Sequence, residues 1–349
     1  MKSLNKDYLD SQPLSMELAR LVHVLGEYKG KQELLTHQTP QILETLKEAA
    51  IIQSTESSNR IEGISVLPER LRELMIKKSE PKDRTEAEII GYRNVLAQIH
   101  TRFDETELNP STIQRLHSEM FKRTGMKGGQ WKQKDNTIEE KLPTGQWVTR
   151  FIPVTAQNTP YFMIETCKNY DRLLREGKIN PLLLIATFIL DFLCIHPFTD
   201  GNGRISRLLT LLLLHKAGFE IGRYISLERI VEESKESYYE SLQFSSQNWE
   251  HGKHNIGKWW ECFLTTLLAA YQEFEERVGT IRPSRGSKTE LILSALDHLP
   301  PSFRFSDVVR LCPTVGHDMV RVVLNRLRNE GKVECSRSGR GAIWKKVEK

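Results

Sequence analysis

The sequence predicts a mainly α-helical protein that contains one small β-hairpin. Apolar residues recur at helical spacing along most of the 349 residues, a pattern typical of amphipathic helices. The pattern changes between residues 128 and 160, where apolar residues follow the turn Pro143-Thr144-Gly145 and predict the hairpin. Hydrophobic residues make up 39% and charged residues 27% of the chain, as in ordinary globular proteins.

The chain is too long for one compact core, so two or three domains are expected. The best boundary is a polar stretch with proline and glycine at residues 281–287. We therefore predict an N-terminal helical region (residues 1–108), a helical core (residues 109–280) and a C-terminal domain (residues 281–349). The helices predicted before the boundary are residues 40–53 with a continuation to 63, 86–103, 110–125, 160–175, 181–195, 202–217 and 255–278.

The C-terminal domain has the element order of a winged helix-turn-helix. Its predicted helices and strands are residues 288–298, 305–312, 316–331, 333–336 and 342–347. Residues 282–349 contain 14 Lys/Arg against 7 Asp/Glu, so the net charge of +5 comes from this segment. The basic residues lie in the recognition helix and in the wing, where phosphate contacts are expected; they are Arg321, Arg326, Arg328, Arg337 and Arg340. DNA binding, protein docking and homodimer formation are the alternatives for this domain, and Trp344 is expected in its core.

The five cysteines are scattered and form no Cys-x-x-Cys pair, which argues against a disulfide framework and a zinc site. Residues 1–15 contain no apolar core of a secretory signal. The most apolar run, residues 182–195, is too short to span a bilayer. A cytoplasmic protein without membrane contact is therefore expected.

Residues 195–207, with the sequence Ile-His-Pro-Phe-Thr-Asp-Gly-Asn-Gly-Arg-Ile-Ser-Arg, predict a phosphate-binding loop. An apolar helix ends at Pro197, and a second helix begins near Asn202, which is a suitable N-cap. Backbone N–H groups and the helix dipole favour an anion at such a helix start. Gly201 and Gly203 allow a phosphate to approach the backbone closely.

The same segment carries side chains suited to nucleotidyl transfer. Arg204 and Arg207 can bind phosphate oxygens, and Asp200 can hold a divalent cation that bridges phosphates. His196 can accept the proton of an incoming hydroxyl. Taken singly, a His-Pro helix end and an Asp-Gly-Asn-Gly loop are more often structural, so the prediction depends on their combination.

The segment matches the signature His-x-Phe-x-(Asp/Glu)-Gly-Asn-Gly-Arg-x-x-Arg at every fixed position. The chain thus resembles the Fic (filamentation-induced-by-cAMP) family of protein adenylyltransferases. The resemblance implies transfer of AMP from ATP to a Tyr, Ser or Thr hydroxyl of a target protein or of the chain itself. It implies that His196 is the general base, Asp200 the Mg²⁺ ligand, Arg204 the β-phosphate ligand and Arg207 the γ-phosphate ligand.

The resemblance also assigns binding roles around these residues. Gly201, Asn202 and Gly203 would form the anion hole, and Phe198 would anchor the loop in the core. The hairpin at residues 128–153 would be the flap that pairs with the target, the alternative being a plain packing element.

The segment Ser226-Leu227-Glu228-Arg229 and the pair Tyr238 and Tyr239 resemble the part of the family that closes the adenine pocket. Adjacent residues cannot share one face of a helix. One tyrosine is therefore expected in the core and the other in the pocket.

Residues 58–63 resemble the family's inhibitory motif (Ser/Thr)-x-x-x-Glu-(Gly/Asn), with Ser58, Glu62 and Gly63 at the fixed positions. The resemblance implies that Glu62 pairs with Arg207 and blocks the γ-phosphate, in the class with an N-terminal inhibitory helix. The alternative is an ordinary Ser/Glu pair on a solvated helix.

Several other functions fit the same residues. The site could remove AMP instead of adding it, or transfer UMP, phosphate or phosphocholine. The chain could also be a DNA-binding regulator in which the chemistry is vestigial. Target binding, self-modification or a change of oligomer could release the inhibition, and the sequence does not rank them.

Overall fold

The computed structural model describes residues 3–38, 40–76, 79–141, 144–280, 287–312, 315–336 and 342–347. The fold of these residues is mainly helical. Its helices are α1 (Lys6–Ser11), α2 (Met16–Gln38), α3 (Pro40–Ile61), α4 (Pro68–Met75), α5 (Arg84–Arg102), α6 (Pro110–Phe121), α7 (Thr159–Glu176), α8 (Pro181–Ile195), α9 (Asn202–Lys216), α10 (Leu227–Glu233), α11 (Lys235–Ser246), α12 (Gly257–Thr280), α13 (Ser287–His298), α14 (Phe305–Leu311) and α15 (His317–Asn329). Its strands are β1 (Ile138–Lys141), β2 (Trp147–Phe151), β3 (Ser302–Arg304), β4 (Val333–Cys335) and β5 (Ile343–Lys346).

Helix α8 forms the centre of the molecule, and every residue from Leu182 to Ile195 is buried. It begins where the Asn180 side chain accepts a hydrogen bond from the Leu182 N–H at 2.9 Å, with proline in the first turn. Helices α7, α9 and α12 pack around it. The apolar sequence that is too short for a bilayer is therefore a core helix.

The N-terminal helices share this core. Helix α2 packs along α12, and α3 packs against α5 and α10. Ser3 and Leu4 are fully buried, and the Ser3 hydroxyl donates to Asp191 of α8. One hydrophobic cluster runs from Leu4 to Trp344 and includes Leu43, Leu46 and Ile61 of α3, while Ile52 of α3 belongs to a second, smaller cluster.

The predicted hairpin is present, with β1 and β2 paired antiparallel. The register shifts between Ile138 and Glu139. Pro143 of the predicted turn lies outside the described residues. Helix α6 ends at Phe121, four residues before the predicted end at Gly125, because Lys122 to Gly125 form turns and Gly125 has a φ of 78°.

The C-terminal elements lie within two residues of their predicted positions. The sequence did not predict β3, a strand of three residues that pairs with β5, giving a sheet of order β3-β5-β4. Trp344 is buried, as expected. The boundary residues 281–286 and the wing residues Arg337 and Arg340 lie outside the described residues.

This C-terminal unit contacts the N-terminal helices directly. The Gln53 side chain of α3 donates to the Leu311 carbonyl at 3.3 Å, and Arg72 of α4 donates to the Val315 carbonyl at 2.9 Å. All five cysteines are free thiols. No helix within the described ranges is long and apolar enough to cross a bilayer.

Candidate active site

The loop between α8 and α9 brings the predicted motif residues together. His196 ends α8 with a left-handed backbone, φ 50° and ψ 60°. Gly201 has a φ of 79°, and a Cβ there would lie 2.8 Å from the Phe121 ring and 2.9 Å from Met120. The loop therefore requires glycine at this position.

The prediction that Asn202 caps α9 is wrong. Gly201 occupies the cap position, and Asn202 is the first helical residue. The Asn202 amide accepts from the Phe198 N–H at 2.9 Å and donates to the Phe198 carbonyl at 2.8 Å. Asn202 thus closes the loop, and the N–H groups at the start of α9 are not used by its side chain.

Phe198 anchors the loop in the core, because it is fully buried between two rings. His117 stacks on one side with 3.8 Å between ring centroids, and Trp131 packs at 5.0 Å. His117 accepts from the Gly129 N–H at Nδ1 (2.8 Å), so Nε2 carries the proton and donates to the Asp200 carbonyl at 3.0 Å. His117 is therefore a packed histidine, and burial lowers its pKa to about 4.

His196 is a neutral imidazole at physiological pH. Burial lowers its pKa to about 4, and the nearby charge of Lys132 acts in the same direction. The Leu193 carbonyl, Glu62 and Asp200 oppose this shift but do not cancel it. A neutral ring can accept a proton, as a general base must.

Glu62 and Ser58 hold Arg207 at the end of α3. The Arg207 Nη2 donates to Glu62 Oε1 at 2.7 Å and to the Ser58 carbonyl at 2.9 Å. Its Nε donates to the Ser58 hydroxyl at 2.8 Å. Burial acts to raise the pKa of Glu62, yet the charge and hydrogen bond of Arg207 outweigh it and lower the pKa overall. Gly63 follows with a φ of 79° and ends the helix.

The Glu62 carboxylate lies directly over the start of α9. A Cβ added to Gly203 would lie 2.2 Å from Glu62 Oε1 and 3.3 Å from Arg207 Nη1. A helix start with glycine is a natural anion site. In this structure the Glu62 carboxylate therefore lies beside Gly203, in the first turn of α9, and in contact with Arg207.

Arg204 is held by a residue that the sequence analysis missed. Its side chain is 1% exposed, and its Nη1 donates to Glu88 Oε2 at 2.6 Å. Glu88 also accepts from Arg84 Nε at 2.7 Å. Arg84 and Glu88 are one helical turn apart on α5, and this spacing predicts an ion pair between them. Nothing in their spacing points to Arg204, which lies 116 residues from Glu88.

Asp200 is the most accessible charged residue of the motif, with 45% of its side chain exposed. Its Oδ1 accepts from the Gly201 N–H at 2.6 Å. Its oxygens also lie 3.5 Å from Arg84 Nη2 and 3.6 Å from Arg204 Nη2. No group of three or more His, Cys, Asp or Glu residues that could hold a metal occurs in the ranges described above.

The segment after the motif lies on the other side of Arg207. Glu228 is buried and accepts from the Tyr92 hydroxyl at 2.9 Å. Tyr238 is buried, whereas Tyr239 is 41% exposed, so the two tyrosines face different ways. The buried tyrosine, Tyr238, lines one cavity of about 50 Å³ together with Arg207 and Glu228.

Residues 107–214 match the model of the Fic/DOC family. A Fido domain-containing protein of Dictyostelium discoideum is 31% identical over 91 residues, which are 26% of this chain and 59% of that protein. Protein adenylyltransferase fic-1 of Caenorhabditis elegans is 35% identical over 79 residues, which are 22% of this chain and 15% of that protein. The matches span less than two thirds of either relative.

Solved structures show the same fold. A Fic family protein from Desulfovibrio desulfuricans G20 aligns over 97% of this chain and 98% of its own, with a TM-score of 0.62 and 16% identity. A Fic domain containing signaling protein from Bacteroides thetaiotaomicron aligns over 75% of this chain and 98% of its own, with a TM-score of 0.63 and 20% identity. Fic-1 from C. elegans aligns over 74% of this chain and 72% of its own, with a TM-score of 0.54 and 21% identity. The chain therefore contains a segment, residues 107–214, that matches the Fic/DOC family, and its fold resembles that of these Fic structures.

Proposed function

We propose that this chain transfers AMP from ATP to a Tyr, Ser or Thr hydroxyl of a target protein or of itself, and that Glu62 restrains the reaction. The observation that carries the proposal is the position of the Glu62 carboxylate, between Gly203 and Arg207. A carboxylate that pairs with an arginine at a helix start stands where a phosphate would bind. A relative named protein adenylyltransferase matches part of the chain.

For this transfer the chain must supply a base, ligands for the phosphates and an orientation of the α-phosphate that allows attack. The acceptor hydroxyl loses its proton to His196, and its oxygen forms a bond to the α-phosphorus of ATP. The bond from that phosphorus to the bridging oxygen breaks, and pyrophosphate leaves. Gly203 and the start of α9 stabilise the phosphates through backbone N–H groups. Arg204 and Arg207 bind the β- and γ-phosphates and orient the α-phosphate for in-line attack.

The residues present fit an Mg²⁺ ion that arrives with ATP. Such an ion is usually bound by one or two carboxylates together with substrate phosphates and water, and Asp200 is a half-exposed carboxylate beside the anion site. When bound, the ion neutralises phosphate charge. Asp200 has to exchange its contacts with Arg84 and Arg204 for this role.

The hairpin and the two tyrosines are proposed to bind the rest of the substrates. Strands β1 and β2 form a sheet of two strands, which leaves an edge for an extended target segment. Trp147 on this hairpin is 65% exposed. Both tyrosines are candidates for adenine contact, because Tyr238 lines the cavity beside Arg207 and Tyr239 is exposed.

The reaction type is tested by the position of the label in the nucleotide. The Glu62→Gly variant, incubated with Mg²⁺ and α-³²P-ATP, is expected to label itself or lysate proteins. The same variant with γ-³²P-ATP is expected to leave protein unlabelled, because pyrophosphate is the leaving group. Label from the γ-phosphate would show phosphate transfer, stronger label from α-³²P-UTP would show UMP transfer, and loss of label from pre-modified protein would show the reverse reaction.

DNA binding is the second candidate function, and the exposed face of α15 favours it. The elements from α13 to β5 have the order of a winged helix-turn-helix. Arg321, Arg326 and Arg328 are exposed on α15, although Asp318 pairs with Arg321 at 3.1 Å and Glu330 lies 3.5 Å from Arg326. Basic residues on such a helix contact DNA phosphates.

A gel-shift titration with labelled duplex DNA tests this candidate. We expect binding that weakens by at least about tenfold between about 50 and 200 mM salt, as phosphate contacts require. The double variant Arg326→Ala with Arg328→Ala is expected to bind more weakly with a smaller salt slope. Arg175→Ala, an exposed arginine on α7, serves as the matched control. No shift at low salt would favour protein docking instead.

A further inference from the structure

Lys132 lies beside the motif loop, at the base of the hairpin, and the family signature does not include it. Lys132 is 2% exposed. The Nζ donates to the Ile195 carbonyl at 3.1 Å and to Asn136 Oδ1 at 2.8 Å. The Lys132 backbone N–H donates to the Pro197 carbonyl at 2.9 Å. One residue thus binds the carbonyls immediately before and after His196.

His196 needs such support because of its backbone conformation. Its φ of 50° lies in the left-handed region, which non-glycine residues adopt only where the surrounding structure imposes it. Lys132 holds the two flanking carbonyls from outside α8 and α9. The orientation of the imidazole therefore depends on a side chain that precedes it by 64 residues.

The surroundings of the Lys132 ammonium group are unusual for a residue that only holds the backbone in place. The acceptors of its Nζ are a main-chain carbonyl and an amide oxygen, whereas buried ammonium groups are normally paired with carboxylates. Burial lowers the pKa of Lys132 to about 8 against the opposing charge of Asp135, which makes no hydrogen bond to the ammonium group in the contacts above, so the group is still mainly charged at neutral pH. This places a positive charge beside His196 at a cost in desolvation.

We propose that Lys132 is a positioning residue for AMP transfer, which fixes the backbone on both sides of His196 and keeps a positive charge beside its imidazole. The inference rests on the proposed function. The charged groups that face His196 are Lys132, Glu62 and Asp200. Of these, Lys132 alone favours the neutral ring, and the two carboxylates favour the protonated ring.

The test compares Lys132→Met, Lys132→Arg and Lys168→Met in the Glu62→Gly background. Lys168 is an exposed lysine on α7, outside the hairpin, and is the matched control. For Lys132→Met we expect kcat to fall by about tenfold to 100-fold, because a misplaced base costs rate. The KM for ATP should change by less than about threefold, because the phosphate ligands are untouched. Lys132→Arg should recover most of the rate, and Lys168→Met should match the parent.

A second readout separates positioning from loss of structure. Removing the cation should move the acidic limb of the pH–rate profile upward by about half a unit to one unit. The same shift should appear in the His196 ring titration, followed by NMR on histidine-labelled protein and assigned with His196→Gln. Parental kcat and an unmoved titration in Lys132→Met would overturn the proposal. A rate loss that Lys132→Arg does not recover, with a lowered Tm and an unmoved titration, would overturn it as well.

The two proposals fail in different ways. If the Glu62→Gly parent transfers no AMP from ATP, the proposed function fails. The NMR titration then still decides the role of Lys132. A raised pKa of His196 in Lys132→Met supports the positioning role, and an unchanged one contradicts it.

Discussion

Replacing Glu62 by glycine is expected to raise the rate of AMP incorporation about 100-fold above that of the wild-type chain. The carboxylate binds Arg207 at 2.7 Å and lies over Gly203. To bind Arg207, the γ-phosphate of ATP must displace this carboxylate. A hydrogen bond between charged groups contributes about 1.5–3 kcal/mol, and each 1.36 kcal/mol of barrier is a factor of ten in rate. Removal of this one contact therefore accounts for the expected increase.

The measurement is the initial rate of labelling from α-³²P-ATP at saturating Mg²⁺. Glu48→Gly is the control for removing a carboxylate from this segment, because Glu48 is an exposed residue of α3 and bears the full penalty of glycine inside a helix. It should behave as wild type. Ser58→Ala removes the 2.8 Å bond to Arg207 Nε but leaves the carboxylate, so an intermediate rate is expected. Equal rates in wild type and Glu62→Gly would contradict the inhibitory role.

The chemistry of the site was predictable because its elements are local in sequence. Ser58 lies in the last turn of α3 and Glu62 directly follows that helix, and Arg204 and Arg207 lie in the first turns of α9. Short spacing rules translate directly into such geometry. The structure then places Glu62 against Arg207 across 145 residues, which only the resemblance to a family had implied.

The residues that the sequence analysis missed act over long distances in the chain. Glu88 reaches Arg204 across 116 residues, and Lys132 reaches Ile195 across 63. Neither residue belongs to a motif. Lysine and glutamate are usually exposed in globular proteins, so the sequence predicts both residues at the surface. Their roles follow from burial, which is set by tertiary packing and has no local signal.

The error at Asn202 has a different physical origin. Cap preferences describe an average helix start, and asparagine before a helix is normally a good cap. Here Gly201 adopts the left-handed conformation and takes the cap position, and the Asn202 amide closes the loop onto Phe198. A helix start whose cap residue has no side chain departs from the local preference, as is common at binding sites.

Replacing His196 by alanine in the Glu62→Gly background is expected to lower AMP transfer about 1000-fold, within the range that a general base contributes. ATP binding should stay within about threefold of the parent, because the phosphates are held by other groups. His251→Ala is the matched control, since His251 is exposed and lies outside the motif loop. Comparable losses in both variants, or lost ATP binding in His196→Ala, would contradict the assignment of the base.

The pH–rate profile gives an independent check on the same residue. The pKa of His196 is lowered to about 4 by burial and by Lys132, so the ring is already neutral well below physiological pH. The rate of the Glu62→Gly enzyme should therefore be nearly flat between about pH 5.5 and 7.5 and fall below about pH 5, where the imidazole gains a proton. Because Glu62 favours the protonated ring, its removal moves this limb to lower pH. A midpoint near the ordinary histidine value would mean that the ring is solvated in the active enzyme and that the loop opens before transfer.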